Sequence, residues 1–337
     1  MNESCCHIPT RFEWKKSRSL WSIVLLLVIW TVSVLLPGLE AFRRVLEHNF
    51  HVVLLPLMAG LVVGGAVDAW VPSAWIMALL SGKRKRNLLY SVGLGFLMSS
   101  CSHGLLAIAI QLYKKGASRA SVVSFLLASP WANLAMTFLL IGFFKIWGVV
   151  IIFSAILIAL TTGFLFQNAD CRGWLGAVKP VADQEVISAS AWWSEFRSRS
   201  GAAHVFAIAH GTRNLSEMVL PWISLGMFLA ALSSALIPQE WFKNYLGPDI
   251  GGLFATLGLA TVVEVCSEGM SFLAFELYKQ TGAMGNAAIF LMAGVATDLT
   301  EITLMWKNLG WKSAVLMMLI AIPQIVFLGW AINLATT

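Results

Sequence analysis

Residues 87–113 read NLLYSVGLGFLMSSCSHGLLAIAIQLY, and residues 251–278 read GGLFATLGLATVVEVCSEGMSFLAFELY. Both are apolar, and both hold a Cys-Ser-x-Gly tetrapeptide near the middle: Cys101-Ser102-His103-Gly104 and Cys266-Ser267-Glu268-Gly269. The two tetrapeptides are 165 residues apart. The same offset carries Leu55-Pro56 onto Leu220-Pro221, Gly93-Leu94 onto Gly258-Leu259, and Leu112-Tyr113-Lys114 onto Leu277-Tyr278-Lys279. It also carries Phe125-Leu126 onto Phe290-Leu291, Ala128 onto Ala293 and Leu134 onto Leu299. Overlap between apolar segments readily matches Leu with Leu. It does not readily match Cys, Ser, Gly, Pro, Tyr and Lys at one constant offset. The chain is therefore read as internally duplicated, a common architecture of secondary transporters.

The rest of the sequence fits a membrane setting. Of 337 residues, 58% are apolar and 12% charged, about half the charged share of a typical soluble domain. That composition excludes a soluble enzyme, a nucleic-acid-binding protein and a disordered scaffold. Long apolar stretches run over 20–36, 51–71, 120–141, 146–166, 216–237, 285–305 and 312–334, each close to the ~20 residues that cross a bilayer. The first follows Lys15, Lys16 and Arg18 and ends at Pro37-Gly38 without a small-residue cleavage site, so it is expected to be a retained span. Five cysteines (Cys5, Cys6, Cys101, Cys171 and Cys266) fit no disulfide framework or zinc knuckle. Trp21, Trp75, Trp241 and Trp311 are placed for interfacial belts.

The cations decide how the two tetrapeptide segments are threaded. If both were full spans, Lys and Arg would divide 12 to 11 between the two sides. If both are re-entrant hairpins, 18 fall on the cytoplasmic side, leaving Arg43, Arg44, Lys145, Lys243 and Lys279 outside. Only the second division obeys the positive-inside rule. From Asn87 to Cys101 is about 14 residues, roughly 21 Å of helix, so each tetrapeptide turns near the midplane. Three spans plus one hairpin per half would invert the second half relative to the first.

The expected fold is all-α and polytopic: two inverted repeats, each with three spans and a re-entrant hairpin, after one extra N-terminal span. The segments are a cytoplasmic tail at 1–19, a first span at 20–36, repeat 1 at 50–166, a cytoplasmic linker at 167–214 and repeat 2 at 215–335. Trp192, Trp193 and Phe196 among charges suggest an interfacial helix in the linker. The N-terminus is expected in the cytoplasm of a bacterial or archaeal cell, with the chain in the inner membrane.

Chemistry is expected at the hairpin tips. Gly104 and Gly269 permit a turn, and half-helices starting there direct free N–H groups toward the midplane, a setting for anions. Cys101, His103 and Cys266 supply thiol and imidazole beside that backbone, a ligand set for thiophilic metals or metalloids. Small Cys and Ser residues that let helices pack closely are the plainer reading. Carboxylates within apolar stretches are Asp68, Glu264, Glu268, Glu276, Asp298 and Glu301, each costing at least ~2.5–3.5 kcal/mol at the bilayer centre without a cavity or partner. Asp68 and Glu276 lie near expected span ends and are read as interfacial. Glu268, Asp298 and Glu301 are read as proton-coupling groups. Asp298 and Glu301 share a helix face, and Asp298 is the repeat mate of Asn133. Gly60 and Gly64 form a GxxxG read as close span packing. Cys5-Cys6-His7 is read as an incidental terminal cluster.

Two longer motifs carry a resemblance. Gly116-Ala117-Ser118 and Ser124-Phe125-Leu126-Leu127-Ala128-Ser129-Pro130-Trp131-Ala132-Asn133 follow the first tetrapeptide. Phe290-Leu291-Met292-Ala293-Gly294-Val295-Ala296-Thr297-Asp298 and Thr300-Glu301 follow the second. Over about residues 50–335 the chain resembles the predicted-permease superfamily that includes organoarsenical efflux permeases and related heavy-metal exporters. The resemblance implies an inner-membrane permease exporting a soft toxic species with ion coupling. His103 stands where many members carry a second Cys, and Ala107 and Phe272 stand where they carry Pro. These departures widen the ligands toward divalent metals and anions.

The functional expectation is a proton- or ion-coupled efflux permease for a soft metal, metalloid or organometalloid species. Substrate contacts are expected from Cys101, Ser102, His103, Gly104, Asn133, Cys266, Ser267 and Gly269. No resident metal or cofactor is expected; Cys101, His103 and Cys266 would touch a transported ion. The partners are the small substrate and the lipid bilayer, with no nucleic acid. The alternatives are uptake of a small sulfur-containing or other inorganic anion, and an intramembrane enzyme using Cys, His and Glu. No His-Glu-x-x-His spacing supports the latter.

Overall fold

A computed structural model describes residues 17–36, 38–70, 86–97, 105, 108–110, 112–113, 117–132, 134–175, 201–263 and 267–336. Among the described residues all regular structure is helical. The first half holds α1 (Arg18–Leu35), α2 (Glu40–Trp70), α3 (Arg86–Leu97), α4 (Arg119–Ala132), α5 (Leu134–Phe144) and α6 (Ile146–Cys171). The second holds α7 (Gly201–Leu236), α8 (Gln239–Tyr245), α9 (Ile250–Val262), α10 (Ser267–Thr281), α11 (Met284–Ala296), α12 (Leu299–Leu309) and α13 (Trp311–Thr336). Five helices are long and apolar enough to cross a membrane, or seven if each bent pair is one span. All seven apolar stretches named from the sequence are among them.

The helices outrun the apolar stretches where their first turns are charged. Helix α2 starts at Glu40 rather than near 51, and α7 starts at Gly201, inside the segment expected as linker. A hydropathy window stops at the first cluster of charges, whereas a helix needs only its backbone ladder. The charged turns at Arg43, Arg44, Glu47 and His48 therefore continue the span. The interfacial helix expected around Trp192, Trp193 and Phe196 lies outside the described residues.

Element bounds recur at the same offset as the sequence. Shifted by 165 residues, α5 and α6 land on α12 and α13 at both ends, and α3 and α4 land on α9 and α11 within one residue. Packing recurs too: α4 on α6 and α11 on α13, α3 on α4 and α9 on α11, α5 on α6 and α12 on α13. The halves meet where mates touch each other, α2 on α7 and α6 on α13. Helices α2 and α7 run antiparallel. Phe42 near the start of α2 meets Phe228 near the end of α7 (ring centroids 5.9 Å apart), while Gly65 lies against Gly211 and Thr212 near the start of α7. Thr161 and Thr162 of α6 hydrogen-bond Gln324 of α13.

Two spans of the first half are bent. Pro56 removes an N–H from α2, which bends by 44° around residue 53. Pro130 does the same near the end of α4, and α5 runs at 48° to it. The second half breaks after Ala296 without proline. There the hydroxyl of Thr297 donates to Ala293 O (2.7 Å), and Asp298 Oδ1 accepts the Glu301 N–H (3.1 Å), capping α12.

Helix α1 stands apart, with most of its apolar side chains exposed. It is tied to α7 through Glu217, which accepts the Ser17 hydroxyl and the Ser19 N–H.

Candidate functional site

The second tetrapeptide segment folds back on itself. Helix α9 runs parallel to α11: Thr256 Oγ1 accepts from Asn286 Nδ2 (3.0 Å), and further along Thr261 and Thr297 share a hydroxyl hydrogen bond (3.0 Å). Helix α10 runs the other way, because the Met270 methyl near its start packs on Gly294 near the end of α11. At thirteen residues, α9 rises about 20 Å, two thirds of the ~30 Å hydrocarbon core. The start of the segment is tied to α11 and α13. Asn286 Nδ2 donates to Leu246 O (3.1 Å) and Gly247 O (2.9 Å), and its Oδ1 accepts from Asn333 Nδ2 (2.7 Å). Asn333 Oδ1 then accepts the Gly285 N–H (2.6 Å). Both asparagines are buried.

The end of α9 and the start of α10 lie beside the end of α11. Ser267 and Glu268 open α10, both buried, with the Ser267 hydroxyl donating to Glu268 Oε2 (3.2 Å). Ser271 donates to Glu268 O (2.6 Å). After α11, Thr297, Asp298 and Glu301 form the capped break, and Glu301 is 2% exposed. Backbone polar groups freed by a helix break need partners away from water. Here the hydroxyls of Thr261 and Thr297 and the Asp298 cap supply them.

Gly269 does not make the turn expected of it. It lies in α10, and positive φ among the described glycines occurs only at Gly38, Gly173, Gly282 and Gly310. Its place is a close crossing: a Cβ on Gly226 of α7 would lie 2.6 Å from Gly269 Cα. Gly60 likewise allows α2 to approach α5, since a Cβ there would lie 2.7 Å from Ala135 Cα.

Of the expected site residues, Ser267, Glu268 and Gly269 open α10, and Asp298 and Glu301 lie at the α11–α12 break. Cys101, Ser102, His103, Gly104, Asn133 and Cys266 lie outside the described residues, as does Glu264. Among the described residues no group of three or more His, Cys, Asp or Glu could hold a metal ion.

Glu276, read as interfacial, is 1% exposed within the protein; its Oε1 accepts from Gln280 Nε2 (2.6 Å), and Lys279 Nζ lies 3.7 Å from Oε2. Two polar residues of α2 escaped the sequence reading. His48 stacks parallel on Phe275 (6.2 Å). Asn49 is fully buried, with no hydrogen-bond partner for either amide atom among the described residues. The available signal was their place in a charged turn continuous with an apolar run.

A family model described as predicted permease matches residues 39–334. The chain is 22% identical over 283 residues to a Streptococcus mutans protein named as a two-component membrane permease complex subunit, covering 82% of this chain and 88% of that one. It is 26% identical over 250 residues to a Mycobacterium tuberculosis protein named as a permease, covering 65% and 58% respectively. It is 23% identical over 254 residues to the Bacillus subtilis protein YcgR, covering 74% and 82%. No solved structure matches. With a family model spanning nearly all of the duplicated region and five to seven helices fit to cross a membrane, this chain belongs to the predicted permease family and is a multi-pass membrane transporter rather than an enzyme.

Proposed function

We propose that the chain is a secondary permease built from two inverted repeats, with one substrate site between two re-entrant tips. The observation that carries this reading is the meeting of the ends of α9 and α11 at the Thr261–Thr297 hydroxyl pair, with buried Ser267 and Glu268 opening α10 and the Met270 methyl on Gly294. It is the arrangement by which transporters place discontinuous helices around a substrate. The antiparallel run of the mates α2 and α7 supports inversion, because repeats related by an axis along the membrane normal would align them in parallel. The opposite directions of α9 and α10, both packed on α11, support a re-entrant segment.

The substrate is a soft metal, metalloid or organometalloid species, moved outward. Cys101, His103 and Cys266 contact it; Ser102, Ser267 and Asn133 donate hydrogen bonds; Glu268, Asp298 and Glu301 couple protons. The acids are confined to one half, since their mates are His103, Asn133 and Met136. The chain sits in a bacterial inner membrane with its N-terminus inside, in line with its cation distribution and its bacterial relatives. A second reading is uptake of a small sulfur-containing anion. The start of α10 favours it, because a helix N-terminus offers N–H groups to an anion; the Glu268 carboxylate in that first turn opposes it.

The test is a challenge of expressing cells with trivalent arsenicals and divalent soft metals. Resistance is expected from the parent chain and its loss from Cys101→Ala and Cys266→Ala at equal membrane abundance. Resistance equal to the parent in every condition removes the substrate-contact roles.

A further inference from the structure

Around the far half of α10 the aromatic residues gather across the boundary between the two halves. Phe275 lies face to face with Phe143 of α5 at 4.4 Å and 22°, and Phe272 meets the same Phe143 edge-on at 5.1 Å. Phe144 packs edge-on against both Phe275 (5.7 Å) and Tyr278 (6.0 Å). His48 of α2 stacks on Phe275, and Lys279 Nζ lies 5.8 Å from the same ring. Offset and edge-to-face pairs of this kind are each worth about 0.5–1.5 kcal/mol beyond area burial.

The position of this cluster along α10 gives it a role. Phe272 and Phe275 are four and seven residues beyond Glu268, roughly 6 and 10 Å along the helix axis. They lie between the tip site and the end of the bundle where Lys145 closes α5 and Lys279 approaches the end of α10. Those two lysines belong to the cations expected outside. The four phenylalanines have no aromatic mates at the 165-residue offset: those of Phe143 and Phe144 are Asn308 and Leu309, and those of Phe272 and Phe275 are Ala107 and Ile110. Their rings come from α5 of the first half and α10 of the second.

We propose that Phe143, Phe144, Phe272 and Phe275 form the closed outer gate of the transport path. The gate opens when α5 and α10 separate, which is what rocking of one half against the other would do at this boundary. Glu276 and Lys279 flank the closure on its outward side. This inference rests on the tip-site reading above, because it takes the path to run from Glu268 along α10.

The experiment uses a full-length chain whose native cysteines are replaced by Ser, with Ser271→Cys as a reporter between Glu268 and Phe275. A membrane-impermeant thiol reagent is applied to sealed right-side-out vesicles, and the labelling rate is followed. Slow labelling is expected in this parent, with a rise of tenfold or more on adding Phe275→Ala or Phe143→Ala. In inverted vesicles the rate is expected to stay the same with or without those changes. Unchanged slow labelling from outside overturns the gate, as does fast labelling of the parent. Equal acceleration from both sides reports general loosening and also overturns it. Where Phe275→Ala fails to reach the membrane, Phe275→Leu keeps the bulk while removing the ring stack, and the same criteria apply. None of these rates needs a transported substrate, so an inert Cys101→Ala result in the resistance assay fails the contact roles without touching the gate.

Discussion

Replacing Asn286 by Ala tests the joint at the start of the fold-back. The side-chain amide of Asn286 donates toward Leu246 O, Gly247 O and Thr256 Oγ1 and accepts from Asn333. Its two hydrogens are shared over three acceptors, so the substitution removes three hydrogen bonds' worth of pairing at one buried point. Interhelical hydrogen bonds in a membrane protein average about 0.6 kcal/mol, with a maximum near 1.7, which puts the loss at about 2 kcal/mol. Carbonyls and an amide left without partners add to this, since each unsatisfied buried group costs ~1–3 kcal/mol. A loss of about 2–4 kcal/mol follows. Thermal unfolding of the purified protein in detergent should show a clearly lower midpoint for Asn286→Ala. Asn286→Asp should fall at least as far, because its oxygens face three acceptors. Asn308→Ala, which removes a single bond within α12, serves as the comparison. A midpoint for Asn286→Ala equal to that of Asn308→Ala refutes the reasoning, and with it the idea that this joint ties the start of α9 to α11 and α13.

Gly226→Leu should prevent α7 from approaching the tip, because even its Cβ would lie 2.6 Å from Gly269 Cα. Overpacking of this kind costs ~1–3 kcal/mol, read as reduced yield of folded protein in size-exclusion chromatography, with Leu225→Ala on the exposed face next to it as the neutral comparison. Arg119→Gln should destabilise the end of the bundle where Arg119 pairs with Asp170 (3.2 Å) and donates to Leu175 O (2.8 Å). Hydrogen exchange by mass spectrometry should then rise in residues 165–175 and stay unchanged in α10. Gln324→Leu should weaken the contact between α6 and α13, and a double-mutant cycle with Thr162→Val should show coupling of about 0.5–1.5 kcal/mol. Simple additivity there would mean that the hydrogen bond contributes nothing to holding the halves together.

Much of this architecture was legible because membranes write strong rules into sequence. Seven apolar stretches became seven span candidates, and the offset of 165 residues that paired Cys101 with Cys266 also pairs α5 with α12 and α6 with α13. Glu268 and Glu301 were singled out for lying within apolar stretches, and both are buried. Asp298 was visible as an acid within an apolar stretch, although its place at a helix break was not. Less came through where charge and burial coexist. Glu276 read as interfacial because it lies near an expected span end; it is buried within the protein, where Gln280 donates to it. Gly269 read as a turn residue because glycine serves both turns and close approaches, and only the position of Gly226 distinguishes them. Asn286 gave no repeat signal, its mate being Ser121, although Asn333 does match Asn168 at the same offset.

The central claim is that a soft substrate passes the tip of α10 in exchange for protons carried by its neighbouring carboxylates. Everted inner-membrane vesicles containing the full chain, given a trivalent organoarsenical and an imposed inward-acid pH gradient, measure this directly by arsenic content. The account predicts accumulation above empty-vector vesicles, collapse of that accumulation with a proton ionophore, and its loss in Glu268→Gln. Accumulation no greater than in empty-vector vesicles, or accumulation indifferent to both the ionophore and Glu268→Gln, contradicts it.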